Sequence, residues 1–223
     1  MKKISVVIPV LNEDGVIGSL LSQLTRNDSF LEIIVVDGGS TDATGDKVRE
    51  FHGVKWLQAE AGRAKQMNYG AAMATGDILW FLHADSNVPE NSAALVTQAM
   101  EHSPVGGSFF LKFDQEHFWL DVFSKISRLN MSIFTYGDQG IFVRRDTFKE
   151  LNGFKEIPIM EDLDLVRRIK KKGSFTKLPH AVSTSARRFM KNGVVRQELK
   201  NVLLVLGYYA GISPYYLARY YRS

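Results

Sequence analysis

The chain has 223 residues, 45% of them apolar and 23% charged, which is enough to bury the core of one large domain or two small ones and too apolar for a disordered chain. It contains no cysteine, so a disulfide framework, a thiolate metal site and a cysteine nucleophile are all excluded. A formal net charge of +4 hides an asymmetry: residues 1–162 hold 15 Lys/Arg against 22 Asp/Glu and residues 163–223 hold 13 against 2, so an acidic body carries a strongly basic last quarter that suits an anionic partner.

In chain order, the N-terminal apolar run stops at Pro9 after about five residues, too short for a signal-peptide core. A cytoplasmic protein is expected, with contact at the inner face of the membrane as a further expectation. Apolar runs at 4–9, 33–37, 54–57 and 78–82 end in turn residues and predict short buried strands. Between them 15–24, 44–51 and 63–73 have helical spacing, the second with Ser40, Thr41 and Asp42 offering cap oxygens. Strand alternating with helix predicts a parallel, doubly wound sheet, whose ligands bind at the carboxyl ends of the strands. Asn12-Glu13, Asp37-Gly38-Gly39-Ser40 and His83-Ala84-Asp85 occupy those ends.

The second half is less regular. A strand at 107–113, an amphipathic segment at 118–134, a strand at 141–144 and a short helix ending at 152–154 are predicted there, with no repeat or linker, so one continuous domain is expected. From Asn201 to Ala218 no residue is charged and four are Tyr, but Gly207, Gly211, Ser213 and Pro214 interrupt any spanning helix. The ordinary reading of this segment is a C-terminal helix packed on the core, and its flanking Lys200, Arg219 and Arg222 make a water–lipid boundary the alternative.

Several residues carry chemistry. Asp37 at a strand tip is an acceptor for the imide N–H of a uracil base, or simply caps its own turn. The G-x-G-x-x-G fingerprint is absent after the first strand, where Pro9-Val10-Leu11-Asn12-Glu13 stands, which disfavours a dinucleotide. His83 and Asp85 aim at one side of the crevice, and Asp85 offers a hard oxygen to a divalent metal on a diphosphate. Glu161 and Asp162 open a helix whose buried face is Leu163, Leu165, Val166 and Ile169; the acids complement the helix dipole, and Asp162, held near its ordinary pKa, is also placed to act as a general base. Arg187 and Arg188 form a phosphate clamp or a surface turn.

With these residues in view, the chain resembles the inverting family 2 glycosyltransferases of the GT-A fold. The opening Ile4 to Glu13, the Val35-Val36-Asp37-Gly38-Gly39-Ser40-Thr41-Asp42 loop and Gly62-Arg63-Ala64-Lys65-Gln66-Met67-Asn68 match the nucleotide half, and Gly153-Phe154 with Met160-Glu161-Asp162-Leu163 match the acceptor half. His83-Ala84-Asp85, Gly137-Asp138-Gln139-Gly140 and Arg187-Arg188-Phe189 are similar to the arsenosugar-biosynthesis or selenodomain-associated subgroup. The resemblance implies an α/β fold with a Rossmann-like, mixed and mostly parallel sheet flanked by helices: a nucleotide half to about residue 115, an acceptor half to about 190 and a basic, aromatic helical segment beyond.

It further implies metal-assisted transfer of a sugar, with inversion, from a nucleotide diphosphate donor, UDP favoured, to the hydroxyl of a small-molecule or lipid-linked acceptor. Pro9, Glu13 and Asp37 would line the nucleoside pocket, with Arg63 close by and Asn12, Gly39, Gln66, Asn68, His83 and Ala84 in the same donor-binding motifs. Asp85 matches the last aspartate of D-x-D and would take manganese or magnesium, while His83 stands in place of the first. Asp162, beside Glu161, matches the catalytic base, and Asp138, Gln139, Arg187 and Arg188 fall to acceptor or phosphate contacts. The alternative is a non-catalytic nucleotide-binding relative. A nucleic-acid partner is not expected, since the clustered Lys and Arg come with no recognised binding module.

Overall fold

Residues buried on both faces explain why the first strands are continuous apolar runs: all six residues of β2 are buried, as are six of seven in β1. The computed structural model describes residues 2–26, 32–101 and 104–222, and the side chain of Arg222, one of the predicted flanking charges, lies outside the described residues. The chain runs β1 (Ile4–Val10), α1 (Ile17–Thr25), β2 (Glu32–Asp37), α2 (Thr44–Arg49), β3 (Val54–Gln58), α3 (Arg63–Met73), β4 (Ile78–Phe81), α4 (Ser92–Glu101) and β5 (Gly106–Phe113). It continues through α5 (Phe118–Ile126), β6 (Phe142–Arg144), α6 (Arg145–Glu150), α7 (Glu161–Lys172), β7 (Phe175–Thr184), α8 (Arg187–Asn192), α9 (Val194–Tyr209) and α10 (Pro214–Arg222).

The strands form one sheet in the order β3-β2-β1-β4-β6-β5-β7. β1 to β4 pair in parallel and β5 pairs in parallel with β7, but β6 is antiparallel to both of its neighbours, so the sheet is mixed. β6 also pairs with β4 although β5 lies between them in sequence. One apolar cluster covers one face, with Trp80, Phe109 and Phe142 at its centre, and a second, with Phe81, Phe148 and Phe154, covers the other. Each fully buried Leu, Ile or Phe contributes about 1.5–3 kcal/mol.

The packing of α3 decides where the site lies. A Cβ on Gly70 would sit 2.5 Å from Val7 Cγ1 and 2.9 Å from Val36 Cγ2, so only glycine lets α3 lie this close to β1 and β2. Gln66 Nε2 then donates to the carbonyl oxygens of Val10 and Val36, both at 2.8 Å, fixing the start of α3 at the carboxyl ends of two strands.

Three elements differ from expectation. The amphipathic stretch at 118–134 is not one helix: α5 stops at Ile126, and Lys177 Nζ from β7 donates to the carbonyls of Ser127, Leu129 and Phe134, which a continuing helix would have used itself. β7 was not anticipated, because it mixes buried and exposed residues and carries a register shift beside Pro179. α4 lies outside the expected helices, although its buried Ala93, Val96 and Met100 follow a helical spacing.

Candidate active site

The β1 and β2 loops zip together. Asn12, at φ 56°, accepts from Thr41 N at 2.8 Å through Oδ1 and donates its own N–H to Ser40 Oγ at 2.9 Å, and Glu13 N donates to Thr44 Oγ1. The Asp37 carboxylate is buried and turned into its own loop, accepting from Gly39 N, Ser40 N and Ser40 Oγ, with Gly39 at φ 95° making the turn. At the end of β4, Ser86 Oγ accepts from His83 N and closes the turn that carries Asp85.

Beneath these loops a cavity of about 950 Å³ opens. It collects Pro9, Glu13, Arg63, Gln66, His83, Ala84 and Asp85 from the first half of the chain, and Asp138, Asp162, Arg187 and Arg188 from the second. Of the other candidates, Asn12, Asp37, Gly39, Asn68, Gln139 and Glu161 do not line it. Each has a structural partner instead: Asn68 bridges Phe154 N and O, and the buried Gln139 donates to Phe134 O at 2.8 Å.

Charges in the cavity are arranged in pairs. Arg63 Nε donates to Glu161 Oε1, and Glu161 is only 1% exposed, so this carboxylate acts through Arg63 and not at the cavity surface. Its Oε2 is buried and finds no hydrogen-bond donor. Burial opposes the charge on Arg63, but the fields of Glu161 and Asp162 outweigh it and raise the pKa, so the guanidinium is permanently charged. His83 Nδ1 lies 2.7 Å from Asp138 Oδ1. Burial disfavours the imidazolium, yet the bond to Asp138 prevails, raising the His83 pKa and lowering that of Asp138.

Asp162, in the first turn of α7, accepts from Gly137 N at 2.6 Å through Oδ2 and from Leu163 N at 2.8 Å through Oδ1. Burial and the neighbouring Glu161 charge push its pKa above the ordinary carboxylate value, which corrects the expectation of an unperturbed group. Asp85 and Glu13 shift the same way: burial is the main cause in both, reinforced by Asp138 for Asp85 and by Asp85 for Glu13.

Two further residues escaped the sequence reading. Gly137 separates His83 from Asp162: a Cβ there would lie 2.9 Å from His83 Nε2 and 3.2 Å from Asp162 Oδ2. Its place in the polar Gly137-Asp138-Gln139-Gly140 turn was the available signal. Glu198 reaches the cavity from α9; within a basic segment, nothing marked it. The arginine pair divides, with Arg188 held by Tyr221, whose carbonyl accepts from Nη2 and whose ring lies 3.9 Å from the guanidinium carbon, while Arg187 is exposed at the cavity edge.

A mixed, mostly parallel sheet with acidic and basic side chains gathered beyond its carboxyl strand ends defines an α/β protein of the GT-A fold, like the solved glycosyltransferases below. Residues 5–151 match the model of Glycosyl transferase family 2, and the chain belongs to that family. It is 26% identical over 197 residues to the probable glycosyltransferase YdaM of Bacillus subtilis (strain 168), an alignment covering 76% of this chain and 47% of that protein, so the chain spans less than half of that relative's length. Among solved structures it is similar to glucosyl-3-phosphoglycerate synthase from Mycobacterium tuberculosis in complex with Mg2+ and UDP (TM-score 0.68, 17% identity, 95% of this chain and 80% of that one). It is also similar to the mannosyltransferase PcManGT from Pyrobaculum calidifontis in complex with GDP-Man and Mn2+ (TM-score 0.65, 22% identity, 82% and 56%).

Proposed function

We propose that the protein transfers a sugar from a nucleotide diphosphate donor, UDP-linked by preference, to a hydroxyl acceptor with inversion at the anomeric carbon. The observation that carries this reading is a single cavity that receives Glu13, His83 and Asp85 from β1 and β4 together with Asp162 from α7. The donor occupies the first group, and the acceptor hydroxyl approaches Asp162. Asp162 removes the hydroxyl proton as the oxygen attacks the anomeric carbon, and the bond to the diphosphate breaks on the opposite side. Two backbone N–H groups hold this carboxylate in place, and its raised pKa strengthens it as a base. Arg63, kept charged by Glu161, and Arg187 offset the negative charge that develops on the leaving diphosphate.

The residues fit a divalent metal. Asp85 lines the cavity, and burial, reinforced by the charge of Asp138, pushes its pKa up, a penalty on the carboxylate that a bound cation offsets. Among the described residues no group of three or more His, Cys, Asp or Glu forms a metal cage; Asp85 would be the protein's carboxylate ligand to manganese or magnesium. Such a metal supplies Lewis-acid stabilisation of the diphosphate. Lipid-linked and small soluble acceptors are both compatible with the cavity.

Thermal unfolding with a panel of nucleoside diphosphates, with and without manganese, tests this reading. A ligand at 100 times its Kd stabilises by about 2.7 kcal/mol. The expected result is the largest shift with UDP, enhanced by manganese. No shift with any nucleotide, on protein that unfolds cooperatively, overturns the proposal.

A further inference from the structure

Helix α9 has three different sides. At about 100° per residue, Gln197, Glu198, Asn201, Leu204 and Val205 share the side that lines the cavity. Val195, Leu199, Val202, Leu203 and Leu206, at positions i, i+4, i+7, i+8 and i+11, form a second side, and all five are exposed, Leu203 to 68% and Leu199 to 60%. Arg196 and Lys200 follow on the third side. A core-facing helix does not leave five aliphatic residues in water along three turns, and an apolar stripe bordered by Arg and Lys is the pattern of a helix lying in a lipid–water interface.

The surroundings extend the pattern. α5 packs beside α9 through Leu120, Phe123 and Val194 and leaves Phe118 71% exposed and Trp119 44% exposed. α10 exposes Tyr215, Tyr216 and Tyr220. From residue 185 to 222 the chain has seven Lys/Arg and one acidic residue, Glu198, which lines the cavity. The outward side of the C-terminal helices therefore combines apolar and cationic groups without an exposed carboxylate. No helix among the described residues is long and apolar enough to cross a membrane.

We propose that the exposed Val195–Leu206 stripe of α9, with its Arg196/Lys200 border, docks the protein on the surface of an anionic lipid bilayer. Charge complementarity selects this occupant over a second copy, because the same face of a second copy offers no exposed carboxylate to meet the Arg196/Lys200 border, whereas an anionic bilayer does supply negative charge. Docking brings the bilayer alongside the helix that walls the cavity.

The test is sedimentation of the full chain with phosphatidylcholine vesicles, alone or containing a quarter phosphatidylglycerol, at low and high salt. Wild type is expected to bind the anionic vesicles at least about 10-fold more tightly than the neutral ones, and 0.5 M salt to weaken that binding. The double variant Leu199→Gln/Leu203→Gln should lose about 10-fold or more in vesicle affinity, with an unchanged thermal midpoint. Arg196→Gln should lose a smaller factor on anionic vesicles only. Wild type that fails to sediment, or a folded double variant that sediments as wild type does, overturns the proposal. So does a concentration-dependent dimer that the double variant abolishes while vesicle binding is absent. The wild-type arm decides the matter even if the double variant does not fold.

Discussion

The two halves of the sheet are built on different terms. β1, β2 and β4 are short, parallel and buried on both faces, the edge strand β3 is parallel to β2 but half-exposed, and the first-half side chains that reach the cavity come from the carboxyl ends of β1 and β4 and from the start of α3. β5 to β7 are mixed in direction, with β5 and β6 mostly buried and β7 irregularly exposed, and here the cavity residues come from β5 and β7, from helices α5 and α7 to α10, from the segment before α7 and from the turn before β6. At a rigid strand end one short turn fixes a carboxylate, as where Ser86 Oγ accepts from His83 N beside Asp85. A helix terminus needs side-chain and backbone bonds for the same purpose, and Asp162 has them in Gly137 N and Leu163 N. The second half should therefore be where small substitutions disturb the chemistry most.

That contrast can be broken by variants. Asp162→Asn should retain nucleotide binding, read as an unchanged thermal shift, while transfer falls about 10²- to 10⁴-fold; undiminished transfer removes Asp162 from the mechanism. Arg63→Met leaves Glu161 buried without its cation. Breaking a buried pair costs about 3–5 kcal/mol, and since the Arg63 side chain is 37% exposed a loss of about 2–3 kcal/mol in denaturant unfolding is expected, together with weaker nucleotide affinity. Gly137→Ala pushes a methyl against His83 and Asp162, and kcat should fall about 10- to 100-fold with little change in nucleotide Kd. If kcat holds, the two side chains are not positioned by this turn.

The smallest effect concerns acid stability. Asp164 is fully buried and, although burial opposes its charge, Lys155 and Arg168 hold its pKa below the usual value. Its contribution is complete above the unfolded-state pKa of about 4 and is lost as pH falls through the depressed folded value. The Asp164 share of wild-type stability should thus be constant above about pH 4 and decline below it, and Asp164→Asn should flatten the acid decline in urea titrations. An identical acid limb would assign it to other groups.

The same contrast decides what could be read in the residues. Strands buried on both faces announce themselves as apolar runs, and α3 was bounded at Arg63 and Met73 because its ends coincide with Gly62 and Ala74-Thr75-Gly76. β7 gave no such sign, since its burial alternates irregularly around the register shift. For the site, carboxylates at strand ends were legible as candidates, but their directions were not. Asp37 and Glu161 carry motif positions yet face inward, toward the loop and toward Arg63, because each is closer to a protein donor than to the cavity. Gly137 acts by lacking a side chain, which composition alone does not reveal.

The place of β6 in the sheet has a consequence for synthesis. β4 takes its outer neighbour from a strand made much later, as the bond from Trp80 Nε1 to Gly140 O, 60 residues apart, makes plain. At about 5–20 residues per second on the ribosome, the edge of β4 waits roughly 3–12 s for its partner. During that interval the nascent chain presents an apolar strand with free amide and carbonyl groups, the kind of surface that recruits chaperones or other chains. Ribosome-bound chains halted before residue 140 are expected to be cut by protease within β4, and chains halted well past residue 184, with all seven strands emerged, to resist; equal cleavage of the two would show that the edge is protected by other means.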